Sequence, residues 1–135
     1  MAGGRLGTVS IEGVLSAGTE RAIFQLRRLQ TAVAALVAAE TARHYGTPAC
    51  EVLRPAGAQA RTPRAESRRA RDAAIYVLHI TLGYPKAQAA QIFSQTYKDA
   101  GAKAVRRVED ARDEDPDLDR FLDRLDEVLR TEDLV

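Results

Sequence analysis

At 135 residues, with 45% hydrophobic but only 5% aromatic side chains, the chain has room for one small domain with a modest, alanine-rich core. A single cysteine, Cys50, excludes an internal disulfide, and the longest apolar run, residues 32–39, is far too short for a bilayer span. The formal net charge of +1 conceals a split: residues 1–108 carry 16 Lys/Arg against 7 Asp/Glu, or +9, while residues 109–135 carry 4 against 12, or −8.

No stretch alternates apolar and polar residues as a strand would, and Ala, Leu, Arg and Glu abound, which predicts an all-α fold. Residues 1–18 are rich in glycine and small side chains and read as a flexible tail, leaving 19–135 as one helical domain. The N-terminus lacks the basic start and continuous apolar segment of a signal peptide, so a cytoplasmic location is expected.

Thr19 is positioned to cap a long helix over 19–44, ended by Gly46 and Pro48. Ile23, Leu26, Val33 and Val37 form its inner stripe, and Leu29 and Leu36 widen it. The widened stripe has two readings: packing against the rest of the domain, or a homodimer through this N-terminal helix. A short helix over 47–53 follows, with Pro48 in first place. Residues 54–64 read as a loop, and a basic one. Arg54, Arg61, Arg64, Arg68, Arg69 and Arg71 face only Glu66 before Asp72.

The next helix carries Ala74, Ile75, Val77, Leu78, Thr81 and Leu82 on one side and stops at Gly83-Tyr84-Pro85. Residues 87–93 make a second, short helix with Ala89, Ile92 and Phe93 as its apolar side. Thr96 is a good N-cap for a third, with Asp99 in its first turn and Lys98, Lys103, Arg106 and Arg107 along it. Two helices joined by a short turn, the second cationic, form a helix-turn-helix pattern. Asp115 caps the last helix, Pro116 opens it, and Leu118, Phe121, Leu122, Leu125, Val128 and Leu129 make its inner stripe. The expected architecture is thus five to six helices containing a helix-turn-helix, preceded by a long N-terminal helix.

Several motifs here resemble those of the C-terminal DNA-binding domain of the bacterial replication initiator DnaA. Arg71-Asp72-Ala73-Ala74-Ile75-Tyr76-Val77 stands where that family has R-Q-I-A-M-Y-L, Gly83 matches the glycine of its L-T-G turn, and Phe93 the Phe ending the first helix of its reading motif. Arg106-Arg107-Val108-Glu109 matches K-K-I-E, Asp115-Pro116-Asp117-Leu118 matches D-P-x-L, and Ala42-Arg43-His44-Tyr45-Gly46 is more loosely like V-A-x-Y-F-G. The stretch from Arg68 to Glu109 aligns without a gap, and the likeness covers roughly the last two thirds of the chain. The family's base-reading signature G-G-R-D-H-T-T-V falls on Ser94-Gln95-Thr96-Tyr97-Lys98-Asp99-Ala100-Gly101, which retains none of its side chains.

The resemblance implies a double-stranded-DNA-binding domain in replication initiation control or transcription regulation. It assigns base reading to Thr96, Tyr97, Lys98 and Asp99, where R-D-H-T falls. Lys98 would donate to guanine and Asp99 accept from cytosine. Lys86, Arg71, Lys103, Arg106 and Arg107 would contact the backbone. In that family a basic loop before the R-Q-I-A-M-Y-L helix enters the minor groove, which implicates Arg61, Arg64, Arg68 and Arg69. The alternative is a protein-interaction module that keeps the fold and has lost sequence-specific DNA reading.

His44 and His79 are isolated, neither at ligand spacing from Cys50 or an acidic pair, and no phosphate-binding glycine loop ending in Lys-Ser or Lys-Thr occurs. No enzymatic activity, cofactor or metal is expected.

Overall fold

Among the described residues, turns separate six helices, and no strand occurs. The computed structural model describes residues 6–53 and 65–131, with side chains described over 18–25, 28–53 and 65–130. Helix α1 spans Leu6–Tyr45, α2 Ala49–Leu53, α3 Ala65–Ile80, α4 Lys86–Ile92, α5 Ala100–Glu114 and α6 Pro116–Thr131. None of them is long and apolar enough to cross a membrane. The chain falls into two units, Met1–Ala32 and Val33–Val135.

In the first unit α1 begins at Leu6, where composition suggested a tail up to residue 18. Once a helix exists, each added residue gains one hydrogen bond for two dihedrals fixed, so scattered glycines need not end it. Ile23, Phe24 and Leu29 are exposed here, and the Arg28 guanidinium lies 5.7 Å over the Phe24 ring. Leu26 lies outside the described side chains.

In the second unit the expected inner stripe of α1 is realised by Val33 and Val37, joined by Ala34, Ala38, Thr41 and Ala42. Leu36 faces out instead. Thr41 is tolerated in the core because its hydroxyl donates to the Val37 and Ala38 carbonyls at 3.0 and 3.2 Å. Gly46, at φ +68°, ends the helix as expected, with the Thr47 amide bonded to Ala42 O.

Helix α3 is the centre of this unit. From residue 70 to 78 every side chain but Asp72 is buried, and α2, α4 and α5 all pack on it. Ala70, Ala73 and Ala74 let these neighbours approach. Each large side chain withdrawn from water, such as Ile75, Leu78 and Phe93, contributes roughly 1.5–3 kcal/mol. Gly83 ends α3 at φ +78°, the Tyr84 amide reaches Leu78 O, and His79 Nδ1–H donates to Tyr84 O at 2.7 Å.

Helix α6 closes the core as its periodicity predicts. Leu118, Leu122, Leu125 and Leu129 are buried, Phe121 is half-buried and Val128 exposed. Only Asp115 separates it from α5. The Asp115 carboxylate accepts the Asp117 and Leu118 amides at 3.1 and 3.2 Å, which is the expected N-cap. His44, at the end of α1, stacks on Phe121 with ring centres 4.3 Å apart.

Helices α4 and α5 approach closely at Gly101. A Cβ built on Gly101 would stand 2.2 Å from the backbone oxygen of Lys86. On an open helix Gly→Ala stabilises by up to about 1 kcal/mol. Gly101→Ala is expected to do the opposite, lowering stability by roughly 1–3 kcal/mol because backbone must move. Thermal melts followed by circular dichroism check the sign, with the exposed neighbour Ala102→Gly as the helix-propensity control.

Candidate nucleic-acid interface

The pair α4 and α5, joined by residues 93–99, forms the helix-turn-helix expected from the sequence, but its second helix begins later. Residues 96–99 are not the first turn of α5. The helix starts at Ala100, so Thr96 does not cap it. Asp99 takes the cap position with left-handed angles, φ 60° and ψ 21°, and its carboxylate caps no amide. Its backbone oxygen accepts the Lys103 amide instead. Two features fix the start. Ser94, at φ 62°, and the Gln95 amide bonded to Ala90 O turn the chain away from α4. Gly101 must then meet Lys86, so the tight crossing sets the register of α5.

The candidate residues consequently fall into three groups. Thr96, Tyr97, Lys98 and Asp99 are exposed on the turn. The exposed side of α5 presents Ala102, Lys103, Arg106 and Arg107. Arg68 and Arg69 are exposed near the start of α3, and Lys86 begins α4. Arg61 and Arg64 lie outside the described residues.

The turn and α3 face each other across a cavity of about 390 Å³, lined by Arg68, Arg69, Asp72, Gln95, Tyr97 and Arg107. Ala65, the first residue of α3, also lines it. The Lys103 ammonium lies 5.6 Å over the exposed Tyr97 ring. Arg106 has no ion-pair partner among the described residues.

Two arginines expected at the surface are engaged internally. Arg71 is only 5% exposed. Its Nη2 donates to Glu51 O at 2.8 Å and its Nε to Val52 O at 3.3 Å, and burial draws its pKa down. Its guanidinium therefore ties α2 to α3 and is not a free surface cation. Beside it, Thr47 and Ser67 hydroxyls meet at 2.6 Å and Ser67 donates to Glu51 at 2.5 Å. Arg107 forms a two-pronged pair with Asp72, Nε to Oδ2 at 2.8 Å and Nη2 to Oδ1 at 3.0 Å. Those bonds, with a smaller contribution from Tyr97, raise its pKa.

Sequence reasoning passed over Gln91 and Gln95. Both line a second hollow of about 220 Å³ between α4 and α5, and Gln95 also lines the first. Their amides carry no charge, so a search for cations misses them, although Gln is suited to reading adenine. Among the described residues no group of three His, Cys, Asp or Glu is placed to hold a metal ion.

Because Asp72 is mostly covered, with 17% of its side chain exposed against 51% for Arg107, removing Arg107 strands a carboxylate. Arg107→Ala is expected to cost about 1 kcal/mol, less than a buried pair since Arg107 itself is half in water. Arg106→Ala should stay within about half a kcal/mol. A double-mutant cycle with Asp72→Ala, read by urea melts, should return a coupling of about 0.5–1 kcal/mol.

No protein-family model, curated protein or solved structure matches the chain.

Proposed function

We propose that this chain binds double-stranded DNA, with α5 as its major-groove helix, in the manner of the DnaA C-terminal domain that its sequence resembles. The observation that carries the reading is the cavity where Arg68 and Arg69 of α3 face Tyr97 and Arg107 beside the α4–α5 turn. It gathers cations from two segments and an exposed aromatic ring at one place. Backbone phosphate is the group that such a set receives.

In this reading Lys103 and Arg106 replace the turn residues as the side chains nearest the groove floor, because α5 begins only at Ala100. Thr96, Tyr97 and Lys98 then border the groove with Gln91 and Gln95, and Arg68, Arg69 and Arg107 hold a flanking phosphate. Asp99, at the mouth, repels phosphate and narrows the orientations allowed. The arginines of residues 54–64 supply the minor-groove contact. The protein works in the cytoplasm, in replication initiation control or transcription regulation, with a second copy of itself as a partner through α1.

The engagement of Arg71 and Arg107 within the fold favours a second reading, a protein-binding module on the same scaffold. Salt dependence separates the two. About five phosphate contacts should make log affinity fall with log salt at a slope of about −4 to −5. Arg106→Ala should lower that slope by about one and weaken all duplexes alike. The initiator's own box should be preferred over a scrambled duplex by less than about a hundredfold, because its base-reading side chains are replaced. Fluorescence anisotropy on mixed duplexes measures all three, and no binding at low salt leaves the protein-binding reading.

A further inference from the structure

A second concave surface lies on the second unit, formed by α1 and α6 and sharing no residue with the basic cavity. It is a groove of about 250 Å³ with Leu36, Phe121, Leu125 and Val128 among its apolar lining, and with Glu40 and Arg124 on its walls. Leu36 is 41% exposed and Val128 46%, high values for large aliphatic side chains that line one groove. Exposed apolar area alone does not identify what covers it. The charges do.

Glu40 comes from α1 and Arg124 from α6, so the groove has one acidic and one basic wall. Glu40 makes only a loose contact with Arg43, 3.6 Å away on the same helix. Arg124 is the one arginine of α5 and α6 beyond residue 107 that forms no ion pair among the described residues. Arg112 is paired with Asp119 and Asp123, Arg120 with Asp117, and Arg130 with Asp126. A surface with an apolar floor between one wall of each sign is complementary to its own two-fold copy. A two-fold axis running along the groove would set each Glu40 against the other copy's Arg124 and each Leu36–Val128 patch against its equivalent.

We infer that this groove is the contact surface of a homodimer, closed by reciprocal Glu40–Arg124 pairs around the Leu36 and Val128 side chains. The inference rests on the self-association included in the proposed function and narrows it from α1 as a whole to the α1–α6 groove. It does not rest on DNA binding. Two copies joined this way would carry two α5 helices on one particle, so a bound duplex would contain two half-sites.

The test measures mass without DNA, by sedimentation velocity over a concentration series, on the full chain. Wild type is expected to dimerise. Glu40→Arg puts two arginines against each other, and Arg124→Glu two glutamates, so each should weaken dimerisation about tenfold or more. Val128→Asp should do the same by placing a charge on the floor, and its exposure lets the fold survive, as circular dichroism would verify. The decisive sample is an equimolar mixture of the Glu40→Arg and Arg124→Glu chains. There every crossed pair is again Arg against Glu, so a mixed dimer should form from two chains that are each monomeric alone. No intrachain effect gives that result.

A wild-type chain that stays monomeric overturns both the groove and the self-association reading. A dimer unaffected by these three substitutions but broken by Leu29→Asp overturns the groove alone and keeps α1 as the contact. Weakened single variants that fail to recover on mixing overturn the reciprocal pairing.

Discussion

The burial of α3 over residues 70–78 is the constraint from which the rest of the second unit follows. A stretch so enclosed has little solvated surface for polar residues, yet it contains Arg71, Asp72 and Tyr76, and Ser67 is buried just before it. Each polar group must therefore find a partner within the protein, since an unsatisfied one would cost roughly 1–3 kcal/mol. Arg71 holds the carbonyls of α2, and Ser67 holds Glu51 of the same helix. Asp72 takes Arg107 of α5. The Tyr76 hydroxyl accepts from Arg112, also of α5, at 3.1 Å. The apolar surface of α3 gathers its neighbours, and its few polar atoms fix their register.

Arg112 extends this arrangement outward and resolves the charge split of the sequence. Its Nε and Nη2 donate to Asp119 and Asp123, both at 2.6 Å, while its third nitrogen reaches Tyr76. Burial opposes its charge, but the combined bonds to Asp119, Asp123 and Tyr76 outweigh that and raise its pKa. Asp126 is likewise held below the usual carboxylate range, chiefly by Arg130 and further by the Thr81 hydroxyl at 2.7 Å. Its stabilising effect is present above the unfolded carboxylate pKa and is lost as pH falls through the lower folded value. The acidic segment is thus partly neutralised by its own arginines and fastened to the end of α3 and to α5.

What the sequence made legible was local. Gly46 and Gly83 at left-handed turns, Asp115-Pro116 at the start of α6, and the stripe of α6 each depend on neighbours within four residues. What it hid depends on distant partners. Thr96 has the chemistry of an N-cap, but the start of α5 is set by Gly101 against Lys86, fifteen positions away in sequence. Arg71 and Arg107 look like surface cations until Glu51 O, Val52 O and Asp72 come beside them, at separations of 19 to 35 residues. Leu29 and Leu36 fit an apolar stripe by spacing. Spacing does not say which side of a widened stripe meets the core, and Leu36 turned out to line a groove open to solvent.

The Asp72–Arg107 pair bears most directly on the DNA reading, because an arginine already bonded to a carboxylate would at first sight be lost to a phosphate. The donor count argues otherwise. A guanidinium has five N–H groups, and this pair uses the Nε hydrogen and one on Nη2, so donors remain beyond those given to Asp72. Half of the Arg107 side chain remains in solvent, on the side of the cavity that Arg68, Arg69 and Tyr97 share. Asp72 also holds the long side chain in one orientation, which removes much of the conformational entropy a phosphate contact would otherwise cost. Against this, the carboxylate cancels part of the charge a phosphate would feel. Arg107 in the proposed reading is therefore an orienting contact more than an attracting one, and long-range attraction falls to cations without an acidic partner, Arg106 foremost. Such a division suits a domain whose basic face lies beside an internal carboxylate: steering comes from the free charges, and register comes from the fixed one.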